Sequence, residues 1–128
     1  AMLDLWRYEM PTPTGLSSAF YYEREQIELK AKVYQAALND ITRAVALDQK
    51  NAELWAEKAN VHVRVAQYDD AIASADIAIQ LSPEYATPYL IKGIAQCQTG
   101  KKAEGMQNLE KAKSLGETQA DTFIAKFK

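Results

Sequence analysis

The chain has 128 residues, 48% hydrophobic and 25% charged, with a net charge of −2 and an isoelectric point near 5.4. That is enough for one globular domain, too apolar for a disordered chain, and without the basic excess of a nucleic-acid binder. No apolar run approaches the roughly 20 residues of a membrane span. Neither nucleic acid nor a membrane span is therefore expected.

The segment Ala1–Gly15 lacks the basic start and continuous apolar core of a signal peptide. Within it, Leu3–Met10 reads as a helical turn or two, followed by the loop Pro11-Thr12-Pro13-Thr14-Gly15. The only cysteine, Cys97, cannot form an internal disulfide and identifies no redox compartment. The localisation stays unassigned.

From Ser18 onward apolar residues recur at helical spacing, as in Ala71-Ile72-Ala75-Ile79, and strand-like alternation is nowhere sustained. The pattern predicts an all-α chain. A first set of helices is expected over 18–31, 52–65 and 86–98, and a second set over 35–47, 69–81 and 103–115. The end, Ala120–Lys128, carries Phe123, Ile124 and Phe127 on one helical face. It reads as a capping helix or the start of a fourth unit.

A fixed period of 34 residues organises these helices. Tyr21, Trp55, Tyr89 and Phe123 form a column of aromatics, and Arg24, Lys58, Lys92 and Lys126 a column of bases. Ala44, Ala78 and Ala112 form another, as do Leu47, Leu81 and Leu115, and Ala37, Ala71 and Gly105. The small residues would let two helices approach closely. The aromatics would fill the gap between successive repeats, and the leucines would close each layer. No single repeat can bury its own apolar face, so neighbours must stack.

These columns resemble the tetratricopeptide repeat. The middle repeat, Ala52–Tyr85, matches that family at Trp55, Ala59, Tyr68, Ala71, Ala78 and Pro83. The third, Ala86–Gln119, matches at Tyr89, Gly93, Gly100 and Ala112. The first, Ser18–Asn51, matches at Tyr21, Tyr34, Ala37 and Ala44. Departures fall at Glu25, where a small residue is usual, and at Gln49 and Glu117, where proline is usual. The resemblance implies three tandem repeats (18–51, 52–85, 86–119) after an extension over 1–17. It also implies a right-handed superhelical solenoid whose first helices line a concave face.

Single residues suggest no chemistry. His62 is the only histidine, and its place in the repeat predicts packing; one histidine is not a metal site. A Cys97–His62 dyad would need contact between different repeats. The basic column predicts stems along apolar surface, with charges reaching water or a neighbouring acid. Asp69-Asp70 falls where a second helix begins and suits the helix dipole. No catalytic residue, metal or cofactor is expected.

Carried over from the family, the concave residues are Ala19, Tyr22, Gln26, Leu29 and Lys30 in the first repeat. The second gives Glu53, Ala56, Asn60, Val63 and Arg64, and the third Thr87, Leu90, Ile94, Cys97 and Gln98. Tyr22, Leu90 and Ile94 are candidate apolar anchors, Gln26 and Asn60 amides for a peptide backbone, and Lys30 and Arg64 bases that favour an acid. One class in this family grips acidic chaperone tails with a clamp of Lys, Arg and Asn. Here the clamp places hold Tyr22, Gln26, Glu57, Thr87 and Ile91, so that ligand is disfavoured. The expected function is a non-catalytic interaction module for a peptide or protein segment. The alternative is a structural or self-associating segment of a longer solenoid.

Overall fold

The computed structural model describes residues 16–128, so the expected Leu3–Met10 turns and the Pro11–Gly15 loop lie outside the described residues. Seven helices follow one another: α1 (Ser18–Lys30), α2 (Tyr34–Leu47), α3 (Ala52–Arg64), α4 (Tyr68–Leu81), α5 (Ala86–Gln98), α6 (Lys102–Ser114) and α7 (Ala120–Phe127). Each helix packs chiefly on its chain neighbours, as in a stacked array of helical hairpins. None of the described helices is long and apolar enough to cross a membrane.

Each hairpin turns in the same way. Lys32, Ala66 and Gly100, spaced by 34, all take positive φ (62°, 61° and 88°). The following residue sends its N–H back to the last turn of the first helix: Val33 to the Glu28 carbonyl (2.9 Å), Gln67 to His62 (2.8 Å) and Lys101 to Gln96 (2.9 Å). This closes the orphan carbonyls of a helix end, and only at Gly100 does it avoid a Cβ in the left-handed region. The turn releases the chain early enough for α2, α4 and α6 each to begin one residue ahead of expectation.

Small residues set the spacing within a hairpin. Ala59 and Ala71 are fully buried in the α3–α4 hairpin. Where α5 crosses α6, a Cβ on Gly93 would stand 2.8 Å from the Gly105 carbonyl oxygen. At the corresponding place in the first hairpin the sequence puts Glu25, and its side chain is fully buried as well.

The aromatics join successive repeats. Trp55 Nε1 donates to the Gln49 carbonyl at 2.7 Å, and the Tyr89 hydroxyl to the Pro83 carbonyl at 2.9 Å. Gln49 and Pro83 occupy the same column, and the acceptor is backbone in both cases. Glutamine can therefore replace the usual proline without loss of this bond. Phe123 continues the column but has no donor; it packs with Ile124 and Phe127 against Leu90, Leu109 and Ala112, so α7 caps the third repeat.

Two expectations need correction. Leu47 and Leu81 are 58% and 40% exposed, so they do not close the layers. Each is the last residue of its helix, beyond the point where the next helix covers it. Cys97 does not face the concave side. Its Sγ lies where a Cβ on Gly105 would be, at 2.5 Å, because the two glycines let α5 and α6 close onto it.

The basic column behaves as a set of stems with nearby partners. Arg24 holds Asp40 with two bonds, Nε to Oδ2 at 2.8 Å and Nη2 to Oδ1 at 2.7 Å. Lys92 Nζ meets Asp76 at 2.7 Å, and Lys58 sits over the Trp55 ring. His62 is buried, with Nδ1 3.0 Å from Gln67 Oε1.

Candidate functional site: the concave groove

The first helices of the repeats, with α7, enclose a groove of about 750 Å³. From α3 it takes Glu53, Glu57, Asn60 and Arg64, spaced i, i+4, i+7 and i+11, which is one stripe of a helix. From α5 it takes Thr87, Leu90, Ile91 and Ile94, again one stripe. Tyr22 of α1 forms one wall. Tyr85 and Glu117, from the connections before α5 and α7, and Phe123 and Lys126 of α7 complete it.

Of the residues expected to bind a partner, Tyr22, Asn60, Arg64, Leu90 and Ile94 lie together in this groove. Leu90 is only 6% exposed and contributes floor rather than a protruding anchor. Gln26 and Lys30 are exposed on α1 and do not line the groove. Gln26 lies against the Tyr22 hydroxyl, and Lys30 is the last residue of its helix. Tyr85, Phe123 and Lys126 were not read as groove residues from the sequence. They come from an inter-repeat connection and a terminal helix, outside the first-helix stripes that the repeat pattern marks.

The groove is acidic at one end. Glu53, Glu57 and Glu117 line it, and among the described residues none of the three forms a salt bridge. Burial first, then the charges of Glu53 and Glu57, push the Tyr22 hydroxyl up to about 12. Burial also raises Tyr85, with Glu53, Glu57 and Glu117 adding to it. Arg64 stands at the other end of α3, about 10 Å beyond Glu57 at 1.5 Å per residue.

Behind this wall lies Glu25. Neither of its oxygens finds a donor among the described residues. Burial raises its pKa to about 9, helped by the neighbouring Glu57 carboxyl and then by the charges of Glu28 and Asp40. The proton so retained lets Glu25 donate to Glu57. Glu28 makes the analogous contact with Asp40, and that contact, with desolvation, raises Glu28 to about 7. Burial opposes charge on Asp40, but Arg24, Glu28 and Arg43 outweigh it and hold Asp40 below the usual carboxylate range.

No protein-family model matches the chain. Curated relatives do: it is 29% identical over 87 residues to the SGT1 homologue of Bos taurus, covering 68% of this chain and 26% of that protein. It is 32% identical over 80 residues to the small glutamine-rich tetratricopeptide repeat-containing protein 2 of Saccharomyces cerevisiae, covering 62% and 23%. The chain thus spans about a quarter of the length of these relatives. Among solved structures, the second TPR domain of human RPAP3, in complex with the HSP70 peptide SGPTIEEVD, superposes with a TM-score of 0.79 at 28% identity. The match covers 86% of this chain and 93% of that domain. The fold is that of a tetratricopeptide-repeat solenoid.

Four of the five places of the acidic-tail clamp lie in the groove. Tyr22, Glu57, Thr87 and Ile91 all line the groove, and none of them is a base. The repeat pattern also places Cys97 and His62. The thiol faces α6, and burial raises its pKa, the opposite of an activated nucleophile. His62 is engaged with Gln67.

Proposed function

We propose that this domain is a non-catalytic protein–protein interaction module that holds a peptide segment in its concave groove. The observation that carries this reading is one groove in which apolar floor, amide and charge lie together. Leu90 and Ile94 offer apolar contact, Asn60 can both donate to and accept from a backbone, and Arg64 favours an acid at its end. Human RPAP3 uses the same fold with a bound peptide, which supports a peptide as the class of ligand. The missing bases at the clamp places argue for a different peptide from the one ending Glu-Glu-Val-Asp.

The test is selection of binding segments from a random nonapeptide library, followed by titration of the best segment into 15N-labelled protein. The expected result is amide shift changes at Asn60, Arg64 and Ile94, and a loss of about 1–3 kcal/mol in Asn60→Ala and Arg64→Ala. Shift changes confined to the convex side, with unaltered affinity in both variants, would overturn the reading.

Self-association is the second reading, and one observation favours it. Ile27 (69% exposed), Val33 (50%) and Phe20 (39%) leave apolar surface on the first hairpin of the described residues. Light scattering across a concentration series separates the two. A dimer abolished by Ile27→Ser, together with an unoccupied groove, would favour this alternative.

A further inference from the structure

The face of α3 turned away from the groove borders a second depression. Trp55, Lys58 and His62 lie on the opposite side of the helix from Glu53, Glu57, Asn60 and Arg64. With α2 and α4 they bound a furrow of about 410 Å³. Leu38 and Ile77 add apolar surface to that of Trp55, and Thr42 and Ser74 add hydroxyls.

One period further on, the same place is filled from within. Lys92 pairs with Asp76 at 2.7 Å, Asn108 Nδ2 donates to Gln96 Oε1 at 2.6 Å, and Lys111 lies over the Tyr89 ring. The furrow has Thr42 where that junction has Asp76, Ser74 where it has Asn108, and Ile77 where it has Lys111. Each change removes a charge or shortens the side chain. Lys58 is left 5.3 Å from the centre of the Trp55 ring, and among the described residues no acid pairs with it.

A second observation points into the furrow. Ser74 is only 5% exposed, and its hydroxyl has no hydrogen-bond partner among the described residues. Thr42, Thr99 and Ser114, by contrast, each donate to a carbonyl of their own helix. A buried hydroxyl without a partner is a donor that an incoming oxygen would satisfy.

We propose that this furrow seats an acidic side chain of a partner protein, its carboxylate on Lys58 and Ser74, with a neighbouring apolar side chain against Leu38, Trp55 and Ile77. The carboxylate takes at Lys58 the place that Asp76 takes at Lys92, in a charge-assisted hydrogen bond, and Ser74 donates to it as well. Lys58 keeps its contact with the Trp55 ring. Among the described residues Asp70 is the one acid lining the furrow, a turn before Ser74 on α4, so the partner's acid lies on the other side of Ser74 from it. The site is separate from the concave groove and does not depend on it.

The probe is an array of random nonapeptides, N-acetylated and C-amidated so that only side chains carry charge, with the best binders titrated into 15N-labelled protein. Peptides that shift the Lys58 and Ser74 amides should carry Asp or Glu beside Leu, Ile or Phe. Changing that acid to its amide should weaken binding about tenfold. Thr42→Asp gives Lys58 the internal partner that Lys92 has, so it should keep the circular dichroism of the parent and weaken the same peptides about tenfold. Lys58→Gln should remove the preference for acid over amide. The inference is overturned if no peptide moves Lys58 and Ser74, if acid and amide bind alike, or if Thr42→Asp binds as the parent does. It is also overturned if these amides shift with protein concentration alone, which would put a second copy of the chain in the furrow. Shifts at Asn60 and Ile94 report on the concave groove separately, so either site can fail while the other stands.

Discussion

Gly93 and Gly105 meet backbone against backbone where α5 crosses α6, so closely that a Cβ on either would stand 2.8 Å from the other's carbonyl oxygen. A Cβ on Gly105 would also lie 2.5 Å from Cys97 Sγ and 2.9 Å from Cys97 N. Gly105→Ala should therefore destabilise the domain by about 1–3 kcal/mol, the usual range for overpacking. Cys97→Ala removes the sulfur clash but neither backbone clash. Urea unfolding of both single variants and the double should show partial rescue; full rescue would mean the helices can move apart freely.

The junction between the first two repeats depends on Trp55. Trp55→Ala should cost about 3 kcal/mol, the low end for a large aromatic because the ring is only half-buried. Trp55→Phe keeps most of the packing and should lose about 1 kcal/mol with the bond to the Gln49 carbonyl. Gln49→Pro should be neutral or stabilising by up to about 1 kcal/mol. Asp48 already has the backbone of a residue before proline, at φ −145° and ψ 71°, close to Ser82 before Pro83 at −148° and 85°. Thermal melts of the three variants decide this.

Lys32 and Ala66 hold the left-handed conformation without being glycine. The conformation costs a non-glycine residue about 1–2 kcal/mol, and glycine's extra unfolded-state entropy returns part of it. Ala66→Gly should raise stability by about 0.5–1 kcal/mol. Gly100→Ala should lower it similarly, since a Cβ there meets nothing within 4 Å and only the backbone is affected. An unchanged denaturation midpoint in both would show that the turns relax.

Glu25 should make stability fall with rising pH. Its pKa is about 9 in the fold against an ordinary 4.5, so between these values the folded state holds a proton that the unfolded state has released. In that window stability declines by up to about 1.4 kcal/mol per pH unit. The groups around Glu25 are Glu57 from α3, Asp40 from α2 and Glu28 on its own helix. Glu25→Gln should match the parent near pH 4 and exceed it increasingly up to pH 9. A constant difference across that range would show that Glu25 is ionised in the fold.

The helices and their period were legible because burial imposes both: Trp55, Ala71 and Ala78 have counterparts of similar kind in every hairpin. Most of the groove was legible for the same reason, since Glu53, Asn60 and Arg64 share the face opposite that packing. Cys97 was misplaced because its direction depends on how far two glycines let α5 and α6 close, a distance that residue spacing does not encode. Leu47 and Leu81 were misread because a matching column does not say how far the next helix extends. Glu25 stood out as a departure from the repeat, but whether a long acid at a helix crossing escapes to water or stays inside is settled by its neighbours in three helices.

A stack in which each helix leans on its chain neighbours opens from its weakest junction rather than everywhere at once. The first hairpin buries Glu25 among other carboxyls where the other two have Ala59 and Gly93, so amide protons of α1 and α2 should exchange sooner than those of α5 and α6. Tyr22 leaves the groove whenever α1 detaches. If segments bind in the groove as proposed, occupancy and protection of the first hairpin are linked, and a bound segment should slow exchange in a helix it touches at only one residue.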